Sequence, residues 1–74
     1  MAFQEELNRT ESKRIDVVGT DTYIGVAIPG ASTASAVWAI KKIIETETNI
    51  SILWADGNAL YDNSWSNRLT LSYS

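Results

Sequence analysis

Neither cysteine nor histidine occurs anywhere in the 74 residues of this chain. That pair of absences limits what it can fold into more than any motif it contains. A domain of this length buries only about 60% of the surface that its unfolded chain exposes. Domains so small usually draw further stability from disulfides, a bound metal or a neighbouring subunit. Without cysteine there are no disulfides. Without histidine and cysteine together, the common zinc-ligand sets and the Cys/His and Ser/His nucleophile pairs are also gone. A neighbouring subunit is the remaining source, so a homo-oligomer or a contact with other proteins is expected. The lack of cysteine also fits a reducing cytoplasm.

Charge narrows the partner. Nine acidic and six basic side chains give a net charge of −3. Lys41-Lys42 is the one basic pair besides Lys13-Arg14, so there is no basic patch of the kind nucleic acid requires. No apolar run approaches the roughly 20 residues of a membrane-spanning helix. Met1 to Arg14 is polar and acidic, unlike a secretory signal. Neither nucleic acid nor membrane is expected as a partner.

The texture changes near residue 14. Residues 1–14 are expected to form an N-terminal arm, and residues 15–74 a small β domain. The arm carries Glu5, Glu6, Arg9, Glu11, Lys13 and Arg14, and its large apolar side chains are Phe3 and Leu7. These two are four residues apart and would share one helical turn. The arm reads either as a loose tail or as a segment that lays Phe3 and Leu7 on a partner.

From Ile15 onward the pattern is that of strands. Ile15 to Val18 is β-branched and ends at Gly19-Thr20-Asp21. Thr22 to Ile28 alternates, with Ile24, Val26 and Ile28 on one side and Tyr23, Gly25 and Ala27 on the other. Pro29-Gly30 reads as a turn, and Ala31 to Ser35 as a loop of small residues. Ala36 to Thr46 fits two periods. As a helix it would group Val37, Ile40 and Ile44. As a strand it would group Trp38, Ile40 and Ile44 with Lys42 among them. Its β-branched and aromatic content favours the strand, paired as a hairpin with Ile50 to Ala55 across the polar break Glu45 to Asn49. Asp56-Gly57-Asn58 reads as another turn. Arg68 to Tyr73 alternates most cleanly of all, with Leu69, Leu71 and Tyr73 on one side. Five strands at this spacing predict an all-β fold, a small antiparallel sandwich or partly closed barrel with the N-terminal arm attached.

Trp38, Trp54 and Trp65 are a heavy aromatic load for such a chain. Each buried aromatic ring removes roughly 150–250 Å² from water, on the order of 4–6 kcal/mol at about 25 cal/mol per Å². Trp38 and Trp54 are expected in the core. Trp65 sits among polar residues and is expected to reach the surface. The alternative use of such rings is a platform for a sugar. Of Lys41 and Lys42, adjacent on a strand, one is expected to point to the core face with its stem along apolar surface, unless the pair guards a sheet edge.

No catalytic, cofactor-binding or metal-ligating set emerges. Asp56, Asn58 and Asp62 resemble the start of a calcium loop, but the glycine comes too early and no later glutamate closes it. Serines and threonines are plentiful, with no base to activate them. No cofactor and no enzymatic activity are expected. The residues singled out are partner-contact candidates: Phe3, Leu7, Trp65 and Tyr73.

One resemblance bears on context. The ordered residues Tyr23-Ile24-Gly25, Ala27, Pro29-Gly30, Trp38, Ile40, Lys42-Ile43, Trp54-Ala55-Asp56-Gly57, Tyr61-Asp62-Asn63, Trp65, Arg68, Leu71 and Tyr73 resemble a group of short virion proteins of tailed bacteriophages. The resemblance spans about residues 22–74 and leaves the arm out. It implies a non-catalytic structural component of the virion, made in the host cytoplasm, on the capsid surface, neck or tail, with other phage structural proteins as partners. It carries over no binding residues. The alternative function is a small carbohydrate-binding β module that contacts a host surface glycan through an exposed tryptophan.

Overall fold

A computed structural model describes residues 11–74. Strands β1 (Ser12–Val18), β2 (Asp21–Ala27), β3 (Ala36–Glu45) and β4 (Ile50–Trp54) form an antiparallel meander in the order β1-β2-β3-β4. A two-residue strand, β5 (Asn63–Ser64), pairs with the start of β3, and a single 3-10 turn follows at Trp65–Asn67. The all-β antiparallel architecture expected from the alternation is present. It takes the form of one five-stranded sheet that does not close into a barrel. β1 takes in Ser12, Lys13 and Arg14, so the strand begins inside the stretch assigned to the arm. Phe3 and Leu7 lie outside the described residues.

Turn chemistry sets the connections. Val18 pairs with Asp21, leaving Gly19 and Thr20 as a two-residue hairpin loop, and Gly19 supplies the positive φ (61°) needed at its first position. Pro29 and Gly30 form a type II turn: Gly30 has φ 78°, and Ala31 N donates to Ile28 O at 3.2 Å. The small-residue loop that follows is pinned from inside, because Trp38 Nε1 donates to Ser32 O at 3.0 Å. Ser64 Oγ and Ser66 N both donate to Thr33 O, at 3.0 and 2.9 Å. Thr46 and Asn49 close the β3–β4 hairpin through Thr46 N to Asn49 O (2.8 Å) and Asn49 N to Thr46 Oγ1 (3.1 Å). The segment Ala36 to Glu45 is thus a strand hairpinned with Ile50 to Trp54, as its composition indicated.

The stretch Arg68 to Tyr73 departs from its pattern. It is not a strand but a run of turns, with Arg68 N on Trp65 O (3.1 Å) and Thr70 N on Asn67 O (2.9 Å). Leu69 is exposed, whereas Leu71 and Tyr73 pack on the core. Residues 72–74 then lie along the end of β4. Asp56 N donates to Ser72 O at 2.8 Å, and Trp54 and Ser74 exchange two backbone bonds at 3.0 and 3.1 Å. Leu-x-Leu-x-Tyr alternation is compatible with a strand. Here no strand lies beside it for ladder pairing except at Ala55, where one isolated bridge to Tyr73 forms.

One face of the sheet carries the core. Tyr23 and Ala27 from β2, Trp38 and Ile40 from β3, Ala55 and Trp65 are buried together, with Leu71 and Tyr73 against them. Gly25 makes this possible. A Cβ at that position would stand 2.5 Å from Trp65 Cε3 and 3.1 Å from Trp38 Cε3. Only a residue without a side chain lets the Trp65 ring lie on the backbone of β2.

Candidate functional site

Residues directly opposite one another in an antiparallel sheet share a face, so the register defines both sides. Asp16, Tyr23, Lys42 and Leu53 form one row of the core face, and Arg14, Gly25 and Ile40 the next. The segment from Trp65 to Tyr73 covers this face. Trp65 and Trp38 have ring centroids 6.0 Å apart at 39°, and Tyr23 and Tyr73 meet edge to face at 5.8 Å. Arg68 ties the cover down. Its guanidinium lies 4.7 Å over the Trp65 ring, and Nε and Nη2 donate to Asp16 Oδ2 at 3.0 and 2.9 Å. The Tyr73 hydroxyl donates to Arg68 O at 2.7 Å. Burial pushes the Tyr73 phenol up from 10.0 to about 12, with Tyr23 and Asp56 adding to the rise and Arg68 opposing it.

The tryptophan assignment therefore needs correcting. Trp65, expected at the surface as a partner contact, is 6% exposed and sits in the core, while Trp54, expected in the core, is half-buried on the opposite face. The polar neighbours of Trp65 do not predict its exposure, because the 3-10 turn projects the ring onto Gly25 while Ser66 and Asn67 face water. Tyr73 is half-buried under the cover and, like Trp65, is not a free surface group. Of the lysine pair, Lys42 points to the core face. Its Nζ lies 4.9 Å from the Tyr73 centroid and 5.8 Å from that of Tyr23. β3 is an inner strand, so the pair guards no edge.

Among the described residues the other face is largely open, with Ala59 and Tyr61 beside it at the end where Ala39 is buried. Its rows are Val17, Thr22, Ile43 and Ile52, then Ile15, Ile24, Lys41 and Trp54, then Lys13, Val26 and Ala39. Ile15, Val17 and Ile52 are 63%, 67% and 56% exposed. At the Lys13 end the surface sinks into a hollow of about 370 Å³, floored by Ile24, Val26 and Ala39 and walled by Trp54 and Tyr61. Lys41 Nζ stands 5.5 Å from the Trp54 ring centroid, and Lys13 Nζ is 3.8 Å from Glu11 Oε1. A soluble monomer rarely exposes a contiguous apolar patch beyond a few hundred Å² unless the patch has a use.

Sequence reasoning passed over this face, although a signal was present. In β2 both alternating sets are apolar: Tyr23, Gly25 and Ala27 on one side, Ile24 and Val26 on the other. A strand that is apolar on both sides is one whose two faces both seek cover.

Most of the hollow's lining is apolar. The hollow's lining carries two ammonium groups and one phenol but no carboxylate or amide. Among the described residues no three His, Cys, Asp or Glu side chains converge as a metal set. At Asp56 to Asp62, Asp56 (φ 58°) and Gly57 (φ 71°) are the centre of a tight turn. The Asn58 amide serves the backbone there, accepting from Leu60 N at 3.0 Å and donating to Asp56 O at 3.3 Å. Among the described residues, no helix is long and apolar enough to cross a membrane. No family model matches this chain, and no curated protein or solved structure matches it.

Proposed function

We propose that this chain is a non-catalytic structural subunit of a tailed-phage particle that works by burying the open face of its sheet against neighbouring subunits. The observation that carries this reading is the uncovered apolar face, from Val17 and Ile52 at one end to the hollow beside Trp54 at the other. At about 25 cal/mol per Å² such surface is a strong drive to association. The virion context rests on the resemblance. Most of the residues that carry it, among them Tyr23, Gly25, Trp38, Trp65, Arg68 and Tyr73, build the covered face. They are scaffold residues, which suits a building block. Capsid surface, neck and tail are all compatible with this role.

Mass spectrometry of purified particles tests the proposal. A fixed copy number relative to the major capsid protein is the expected result. Recovery of the chain only from the soluble host fraction would overturn it.

The carbohydrate-binding reading draws on a specific feature, since Tyr61 is 59% exposed and Trp54 half-buried at the same hollow. Protein contact is favoured over it because the lining is mostly aliphatic and lacks the carboxylates and amides that hold sugar hydroxyls. Saturable glycan binding that disappears in Tyr61→Ala would reverse that preference.

A further inference from the structure

Resting on the reading of the open face as a subunit contact, we infer that its occupant is a second copy of this chain. Two sheets would pack face to face about a two-fold axis to make a four-on-four-strand sandwich. Three features of the face support self-association.

The first is size. Four strands about 4.8 Å apart, paired over the seven-residue length of β1 and β2 at about 3.3 Å per residue, give a footprint of roughly 20 by 23 Å. Corrugated by side chains, it presents on the order of the 800 Å² that each partner contributes to a stable interface.

The second is shape. The two ends of the face differ in relief. At the end next to the Gly19-Thr20 turn, Val17 on the β1 edge and Ile52 and Ile50 on the β4 edge stand 67%, 56% and 66% exposed, with Thr22 and Ile43 half-buried between the edges. At the other end lies the hollow over Ile24, Val26 and Ala39. A two-fold axis running between the sheets and across the strands reverses the strand direction. It sets the Val17–Ile52 end of each copy against the hollow end of the other, and both contacts are made at once, as an isologous contact requires.

The third is charge. The chain carries a net charge of −3, which repels a second copy, but this face is balanced. Lys13 and Lys41 stand at the hollow, offset by Glu11 beside Lys13 and by Glu45 at the other end of the face, opposite Ile50. The same two-fold axis brings Glu45 of each copy toward the end that carries Lys13 and Lys41 of the other. Opposite charges arranged in this way set the orientation of the two copies.

Sedimentation velocity from low micromolar to submillimolar concentration tests the inference. The wild-type chain should pass from monomer to dimer, with Trp54 emission moving to the blue as its half-buried ring is covered. Ile52→Lys and Val17→Lys should each remain monomeric across the range while keeping the far-ultraviolet circular dichroism of the wild type. Two variants guard against a folding failure in either. For the axis, Glu45→Lys and the double variant Lys13→Glu, Lys41→Glu should each dimerise at least tenfold more weakly alone, and should form a heterodimer when mixed. A wild-type chain that stays monomeric throughout overturns the inference. So does a dimer that survives both Ile52→Lys and Val17→Lys. A monomer that is nonetheless a stoichiometric virion component, lost from particles on Ile52→Lys, would overturn the second copy and leave the structural-subunit reading standing. A dimer with the expected sensitivities that is absent from particles would leave the inference standing and remove the virion.

Discussion

On one side of this sheet Trp38, Ile40 and Trp65 are 6% exposed or less, while on the other Ile15, Val17 and Ile52 stand more than half in water. Both sides are apolar, and both belong to the same four strands. What separates them is the path of residues 63–74, which fold back over the Tyr23–Trp38 side and end along β4. A four-stranded meander has two faces to cover, and a segment this short covers one of them. The covered face also has a hole built to receive its cover, because Gly25 leaves room for the Trp65 ring. The open face has a hollow of about 370 Å³. The lesson is that apolar composition on a strand says a face seeks burial, not which part of which molecule buries it.

The comparison can be broken most directly at its tryptophans. Trp65→Ala removes a ring that fills the covered face and should cost about 3–5 kcal/mol, which is comparable to the whole stability of a domain this small. Trp54→Ala, on the open face, should cost the monomer only about 1–2 kcal/mol, in keeping with partial burial. Urea unfolding of the two variants checks the order, and equal losses would show that the faces are not energetically distinct.

Gly25→Ala sharpens the point from the backbone side. The added methyl meets the Trp65 ring well inside van der Waals contact, so the cover must lift. The expected loss is about 1–3 kcal/mol. Near-ultraviolet circular dichroism should weaken along with the unfolding midpoint. A variant as stable as the wild type would mean that Trp65 is not seated where the structure puts it.

The Tyr73 hydroxyl offers a pH-dependent version. Its pKa is about 12 in the folded chain against 10.0 in the open, so above pH 10 the folded state holds the proton that the unfolded state gives up. The contribution is present in full below pH 10 and is lost as pH rises toward 12. Tyr73→Phe should lower stability at neutral pH by about 0.5–1.5 kcal/mol through loss of the bond to Arg68 O. The gap to wild type should then narrow between pH 10 and 12. A gap that stays constant across that range would show the hydroxyl to be solvated.

The smallest expected effect lies on the open face. Ile52→Lys, at concentrations where the chain is monomeric, should change stability by no more than about 0.5 kcal/mol. The same substitution pattern on the covered side, at Ile40, would abolish folding. A large monomer penalty at Ile52 would mean that the face is covered within the chain itself.

Much of this architecture can be read from local chemistry. The turns at Gly19, at Pro29-Gly30 and at Asp56-Gly57 stand where positive φ or fixed φ is available. The β-branched and aromatic run from Ala36 to Glu45 is the strand that its composition indicates, in spite of an i, i+4 pattern that a helix also satisfies. The stretch Arg68 to Tyr73 is the counterexample. Its alternation is the most regular in the chain, yet it forms turns, because Arg68 is drawn to Asp16 and the Trp65 ring while Tyr73 is drawn to Tyr23. Asp16 and Tyr23 lie 50 or more residues earlier, on β1 and β2, and alternation within six residues carries no trace of them. The exchange of roles between Trp54 and Trp65 has the same origin. The burial of a large ring depends on what stands opposite it, here a glycine forty residues away.

Sequence by itself determined the class of this protein: small, antiparallel and all-β, without disulfides, with turns where glycine, proline and polar residues stand between its strands. These are local properties, decided by the φ that each residue tolerates and by the period of its apolar neighbours. Tertiary structure alone decided which of the two apolar faces became the core and which remained open as a candidate contact surface. That choice turns on where residues 63–74 find complementary shape and charge, namely the space over Gly25 and the carboxylate of Asp16. Both are set by strands far away in sequence, so only the assembled sheet brings them together.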